Sequence, residues 1–112
     1  MPNQSHEHLN RVFQSLADPT RRAVVERLSH GPAPVSELAG AFSMALPSFL
    51  QHLQVLENSG LVRSTKVGRV RTCRLAPQRL SFAETWLEKQ RVHWNRRLDQ
   101  FDAYLTILKE KS

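Results

Sequence analysis

Between Leu61 and Leu75 the chain carries Arg63, Lys66, Arg69, Arg71 and Arg74, and neither Asp nor Glu. Charges of both signs interspersed make an ordinary solvated surface, whereas cations alone make a directional charge suited to a polyanion. Just upstream, Ser43, Pro47, Ser48, Leu50, Gln51, His52 and Gln54 lie in a segment with no acid before Glu57. Amide, hydroxyl and imidazole groups of this kind pair with base edges in a major groove. Neighbouring cations such as Lys66, Arg69 and Arg71 meet phosphates, which sets register without reading sequence. The chemistry on offer is recognition of double-stranded DNA. The plainer alternatives are a solvated helix face and a solvated hairpin.

Other reactive residue types are thinly spread. His52 and His93 have no nucleophile at a recognisable spacing, no Gly-rich phosphate loop is present, and carboxylates occur singly among cations, so no catalytic residue and no enzyme is expected. His6 and His8 with Glu7 could take up a divalent ion adventitiously, although a polar chain end describes them more simply. Cys73 is the one cysteine, which forbids an internal disulfide framework and fits a reducing compartment. Strand alternation counted from Leu75 turns Cys73 inward as a buried structural residue. A redox role would need an exposed thiolate of low pKa and usually a resolving thiol.

The elements that must position these groups follow from apolar spacing. Phe49, Leu53 and Leu56 recur at i, i+4 and i+7, so the segment from Ser43 is a helix with that stripe buried and Ser48, Gln51, His52 and Gln54 outward. Asn58-Ser59-Gly60 closes it with a C-cap glycine. Leu61–Lys66 and Val70–Leu75 read as strands, with Gly68 supplying the positive φ of a tight turn and Arg69 at the tip. Upstream, a helix from Ser5 to Leu16 carries Leu9, Val12, Phe13 and Leu16. Asp18 is then an N-cap and Pro19 a first-turn residue for a helix Thr20–Ser29 with Ala23, Val24 and Leu28 in the core, and Gly31-Pro32 stops it. A short helix Ser36–Phe42 buries Leu38 and Phe42.

From Ser81 to Lys109 there is neither Gly nor Pro, and the apolar residues keep helical spacing. Trp86, Leu87, Trp94, Leu98, Phe101, Leu105 and Leu108 form a stripe too rich for packing on a small domain alone. It reads as a dimer interface shared with Leu9 and Phe13 of the first helix. The alternative is that it completes the monomer core. A dimer would set two reading heads about 34 Å apart, one DNA turn, matching a palindromic operator.

The fold class expected is mainly α with a small β-hairpin wing (α+β), a winged helix-turn-helix dimerised through its N- and C-terminal helices. One domain spans 1–112: an N-terminal dimerisation helix in 1–17, the helix-turn-helix and wing in 18–75, and a C-terminal dimerisation helix in 76–112. At 112 residues its core is small and gains from association. A formal charge of +6 and a pI of about 10.5 call for an anionic partner, with nucleic acid first and an acidic membrane second. The membrane is disfavoured because the cations sit on a hairpin and not along an amphipathic helix. No apolar run approaches the roughly 18 residues needed to span a bilayer, and Met1–His8 lacks the parts of a signal peptide, so a cytoplasmic location is expected.

These residues carry a resemblance. Phe13-Gln14-Ser15-Leu16-Ala17-Asp18-Pro19-Thr20-Arg21-Arg22, Val35-Ser36-Glu37-Leu38-Ala39, Gln51-His52-Leu53-Gln54-Val55-Leu56, Gly60-Leu61-Val62 and Gly68-Arg69 together resemble the ArsR/SmtB family over nearly the whole chain. The resemblance implies a homodimeric winged-helix regulator, in most members a repressor. It makes Pro47–Leu56 the recognition helix, Lys66–Arg71 the wing, and the first and last helices the dimer interface. The family's thiolate motif falls on Pro34 and Ser36, which supply no soft ligand, and its C-terminal metal site meets only His93 with Asp99 and Asp102. No metal or other cofactor is therefore expected, and any effector is unidentified.

Two departures bear on DNA reading. Relatives carry Ser or Thr near Ala45 and a small polar residue at Leu50. Ala45 caps about 1 kcal/mol more weakly than serine, unless Ser43 starts the helix instead. Leu46 and Leu50 either touch thymine methyl groups or fold inward beside Phe49. Arginine is common where Gln51 stands, so Gln51 favours adenine over guanine. The function expected is a dimeric transcriptional repressor on a palindromic operator. The alternatives are a protein-interaction module using the C-terminal helix, and a metal- or thiol-responsive sensor of the same family.

Overall fold

The computed structural model describes residues 4–111. Along the chain run α1 (Gln4–Ser15), α2 (Pro19–Leu28), β1 (Ala33–Pro34), α3 (Val35–Gly40), α4 (Leu46–Asn58), β2 (Val62–Val67), β3 (Val70–Leu75) and α5 (Leu80–Lys111). The strands form an antiparallel sheet in the order β1-β3-β2. The hairpin was legible from its turn chemistry. Val67 pairs with Val70, leaving Gly68 and Arg69 as a two-residue turn in which only Gly68 has positive φ, at 63°. That is the pattern of a II′-type hairpin turn.

β1 was not anticipated. It is two residues long and ends in a proline, so it has no alternation to detect, and it can only take an edge position. Pairing of Ala33 with Cys73 nonetheless draws the chain before α3 onto the sheet. The helix that follows runs from Val35 to Gly40, starting one residue before and ending two residues before the spacing predicted, so Phe42 lies beyond it. Phe42 is half-buried and stacks on Phe49 at 5.7 Å between ring centres. Ala23, expected in the core, is likewise only half-buried.

The corner from α1 to α2 is built by side chains reaching backwards. Asp18 adopts an extended φ/ψ of −103°/135° and accepts a hydrogen bond from the Arg21 N–H at 3.0 Å, with Pro19 opening the helix. Arg21 then donates through Nε to the Ser15 carbonyl at 2.7 Å and through Nη2 to the Gln14 carbonyl at 3.0 Å. Arg22 donates to the Leu16 carbonyl at 2.8 Å. Carbonyls at the end of α1 thus gain side-chain donors from the first turn of α2.

The core joins Val12, Val24, Leu28, Ala33, Leu38, Phe49, Leu53, Leu56, Leu61, Val62, Cys73 and Ala83. Ser15 and Ser59, both buried, each donate to a carbonyl three residues back. Gly60 holds φ at 82° beneath Arg79, whose Cγ would lie 2.7 Å from any added Cβ. A side chain there would be strained at that φ and would require Arg79 to move aside.

α5 leaves this body. Ala83 is its buried anchor, Trp86 meets Phe13 of α1 edge-on at 5.7 Å, and every residue from Glu84 to Lys111 is exposed. Its 32 residues extend about 48 Å at ~1.5 Å each, which gives the molecule its 75 Å long axis. The expectation that the stripe on this helix might complete the monomer core does not survive.

Candidate nucleic-acid interface

α4 turns Phe49, Leu53 and Leu56 into the core, as their spacing required, and Pro47, Ser48, Leu50, Gln51 and Gln54 to solvent. The helix starts at Leu46 with Ala45 as its N-cap, and no side chain caps it. Ser43 is exposed outside the helix, so the weaker cap is the one used. Neither leucine folds inward beside Phe49: Leu46 is 54% exposed and Leu50 40%. Gln54 donates to Asn58 Oδ1 at 2.9 Å along the helix surface.

His52, expected to look outward, is only partly exposed. It is half-buried against α2, where Arg21 Nη1 lies 3.0 Å from its Nδ1. A guanidinium only donates, so this nitrogen accepts and the ring carries its proton on Nε2. The approach of Asp18 Oδ2 to the same nitrogen, 3.7 Å, is therefore not an ion pair in this state. The Asp18 carboxyl is held below its ordinary pKa, chiefly by the Arg21 N–H bound to it. Arg21 thus ties α1, α2 and α4 together. It was the residue missed from sequence, because its partners lie up to 31 positions away.

The hairpin cations divide into two groups. Arg71 faces α4, with Nε donating to Ser64 Oγ at 2.9 Å and Nη2 to Glu57 Oε1 at 3.2 Å, while Ser64 donates to the same carboxylate at 2.8 Å. Arg71 therefore fastens the hairpin to the end of α4. Among the described residues no acid pairs with Arg63, Lys66, Arg69 or Arg74. Arg63 stands directly across from Arg74, and Lys66 across from Arg71. Like charges in these positions cost stability that an anion would offset.

Cys73 is fully buried, and burial, with Glu57 adding to it, pushes its thiol pKa up, against the opposing effect of Arg71. That is the reverse of an activated thiolate. Among the described residues no group of three or more His, Cys, Asp or Glu could hold a metal ion, and no helix is long and apolar enough to cross a membrane. His8 lies against the ring of Phe82, 5.6 Å between centres.

On α1 and α5, Leu9 is half-buried and Phe13 is 37% exposed. Trp86, Leu87, Trp94, Leu98, Phe101, Leu105 and Leu108 all remain exposed, with Tyr104 on the same face.

Residues 16–65, from the end of α1 into β2, match a helix-turn-helix domain model. The chain is 43% identical over 80% of its length to the HTH-type transcriptional regulator Rv2034 of Mycobacterium tuberculosis, covering 80% of that protein. It superposes on the crystal structure of an ArsR family transcriptional regulator with a TM-score of 0.76 and 56% identity, covering 80% of this chain and 92% of that one. The chain belongs to the ArsR family of transcriptional regulators. A further neighbour of this ArsR-family chain is the homodimeric winged helix-turn-helix DNA-binding domain of Mb0332 from Mycobacterium bovis. It shows a TM-score of 0.61 and 27% identity, and covers 75% of this chain and 80% of that one. The matched helix-turn-helix region of this ArsR-family chain holds α2, α3 and α4.

Proposed function

We infer that this ArsR-family protein is a homodimeric repressor that occupies a palindromic operator, α4 entering the major groove and the wing lying on the backbone. The observation that carries it is the pairing of an uncharged outward helix face, Pro47, Ser48, Gln51 and Gln54, with the unpaired wing cations Lys66 and Arg69. Gln51 is the base reader on this assignment. Lys66 and Arg69 hold phosphates. Occupying a promoter excludes polymerase, which is the simplest route from binding to repression.

Dimerisation through α1 and α5 is supported by the exposed α5 stripe and by the homodimeric relative. Two copies of α4 set one DNA turn apart would read the two halves of an inverted repeat.

The test is a titration of Gln51→Ala and Arg69→Ala against the protein's own upstream DNA and a shuffled duplex at several salt concentrations. Arg69→Ala is expected to weaken both duplexes alike and to reduce the slope of log affinity against log salt by about one. Gln51→Ala is expected to keep the slope and lose about 1–3 kcal/mol of preference for the native duplex. Equal loss on every duplex from both variants would defeat these roles, and salt-insensitive binding by the parent protein would defeat DNA recognition itself.

A further inference from the structure

The recognition helix meets solvent with an apolar flank. Leu46 opens α4 and Leu50 follows one turn later on the same face, 54% and 40% exposed. The core positions of this helix are taken by other side chains: Phe49 and Leu53 are buried, Phe42 stacks on Phe49, and Met44 packs against the core. No Arg or Lys occurs from Ser43 to Asn58, so this face lacks the donors that pair bidentately with guanine. Its first acid, Glu57, is already engaged by Ser64 and Arg71. Gln51 follows Leu50 directly and Gln54 lies one turn on, both exposed. A small apolar patch with amides beside it on one helix face matches one surface of a DNA duplex. In the major groove an A·T pair displays the thymine C5-methyl, its one apolar group, beside adenine N6 and N7, between rows of phosphate.

We propose that Leu46 and Leu50 are specificity-determining residues that pack on thymine C5-methyl groups in each operator half-site. This rests on the assignment of α4 as the DNA-reading helix and names what it reads. Gln51 then pairs with the adenine edge of an A·T pair while Leu50 covers a methyl one step away, so the two side chains select A·T-rich steps jointly.

Duplexes enriched by the protein from a randomised pool are resynthesised with uracil in place of thymine, one position at a time, which deletes the methyl and leaves every hydrogen bond of the pair. Wild-type protein is expected to lose about fourfold in affinity at each contacted thymine, the value of one buried methyl-sized group. Leu46→Ala and Leu50→Ala are each expected to become indifferent to uracil at one position. Val55→Ala, which removes an exposed apolar side chain elsewhere on α4, keeps the full uracil penalty. An enriched site that wild-type protein binds equally well with uracil throughout overturns the methyl contact and leaves α4 as the reading helix. So does a penalty that persists in both leucine variants. A pool from which no sequence is enriched overturns the DNA-reading assignment along with it. The uracil comparison on wild-type protein needs no variant to fold.

Discussion

Arg21 spends its donors on the Ser15 and Gln14 carbonyls and on the His52 imidazole, so one side chain fixes the end of α1, the start of α2 and the rotation of α4. Removing it leaves the Ser15 carbonyl without its partner, in a residue that is itself fully buried. Arg21→Ala is therefore expected to destabilise the fold by about 2 kcal/mol, read as a lower urea midpoint at unchanged m. Arg21→Lys should recover little of this, since one ammonium cannot reproduce a fork that reaches two carbonyls and a ring nitrogen. The neighbouring Asp18 and Pro19 were readable as cap and first-turn residues because those roles depend only on adjacent backbone. The role of Arg21 was not, and with it the contact that draws His52 toward α2.

Among the elements, the hairpin and α4 act as a unit because Glu57, Ser64 and Arg71 join them. With side chains 17% exposed at Glu57 and 49% at Arg71, the pair is partly shielded from solvent. A double-mutant cycle of Glu57→Gln and Arg71→Ala is expected to give a stability coupling of about 0.5–1 kcal/mol. The same variants are expected to lower DNA affinity by changing the angle between wing and helix. Additive effects on both stability and affinity would show that the wing is held by its backbone alone. The strands and turn were legible from alternation and Gly68, and the outward helix face from the Phe49, Leu53 and Leu56 spacing. What spacing left out was which cation on the wing has an internal partner.

For the whole molecule, the proposed dimer rests on α5. Its stripe projects past α1 with Trp94, Leu98, Phe101, Leu105 and Leu108 open to water, a contiguous apolar face of the kind that marks an association surface. Leu98→Glu is expected to yield a folded 12.9 kDa monomer by sedimentation, with its helical circular dichroism kept. Operator affinity is expected to fall by about a hundredfold or more as one half-site is lost. A variant that stays dimeric would place the interface elsewhere. By itself the sequence determined the helices, the hairpin and its glycine turn, the inward placement of Cys73, and a cationic region beside an uncharged helix face. Each is written in neighbouring residues, through helical or strand period, caps and local φ. Only the tertiary structure decided that β1 pairs with β3, that His52 turns to Arg21, that Arg71 is held by Glu57, and that Leu46 and Leu50 stay outside the core. These outcomes depend on how elements distant in the chain dock and on whether the space beneath a side chain is already filled, and no local pattern contains that information.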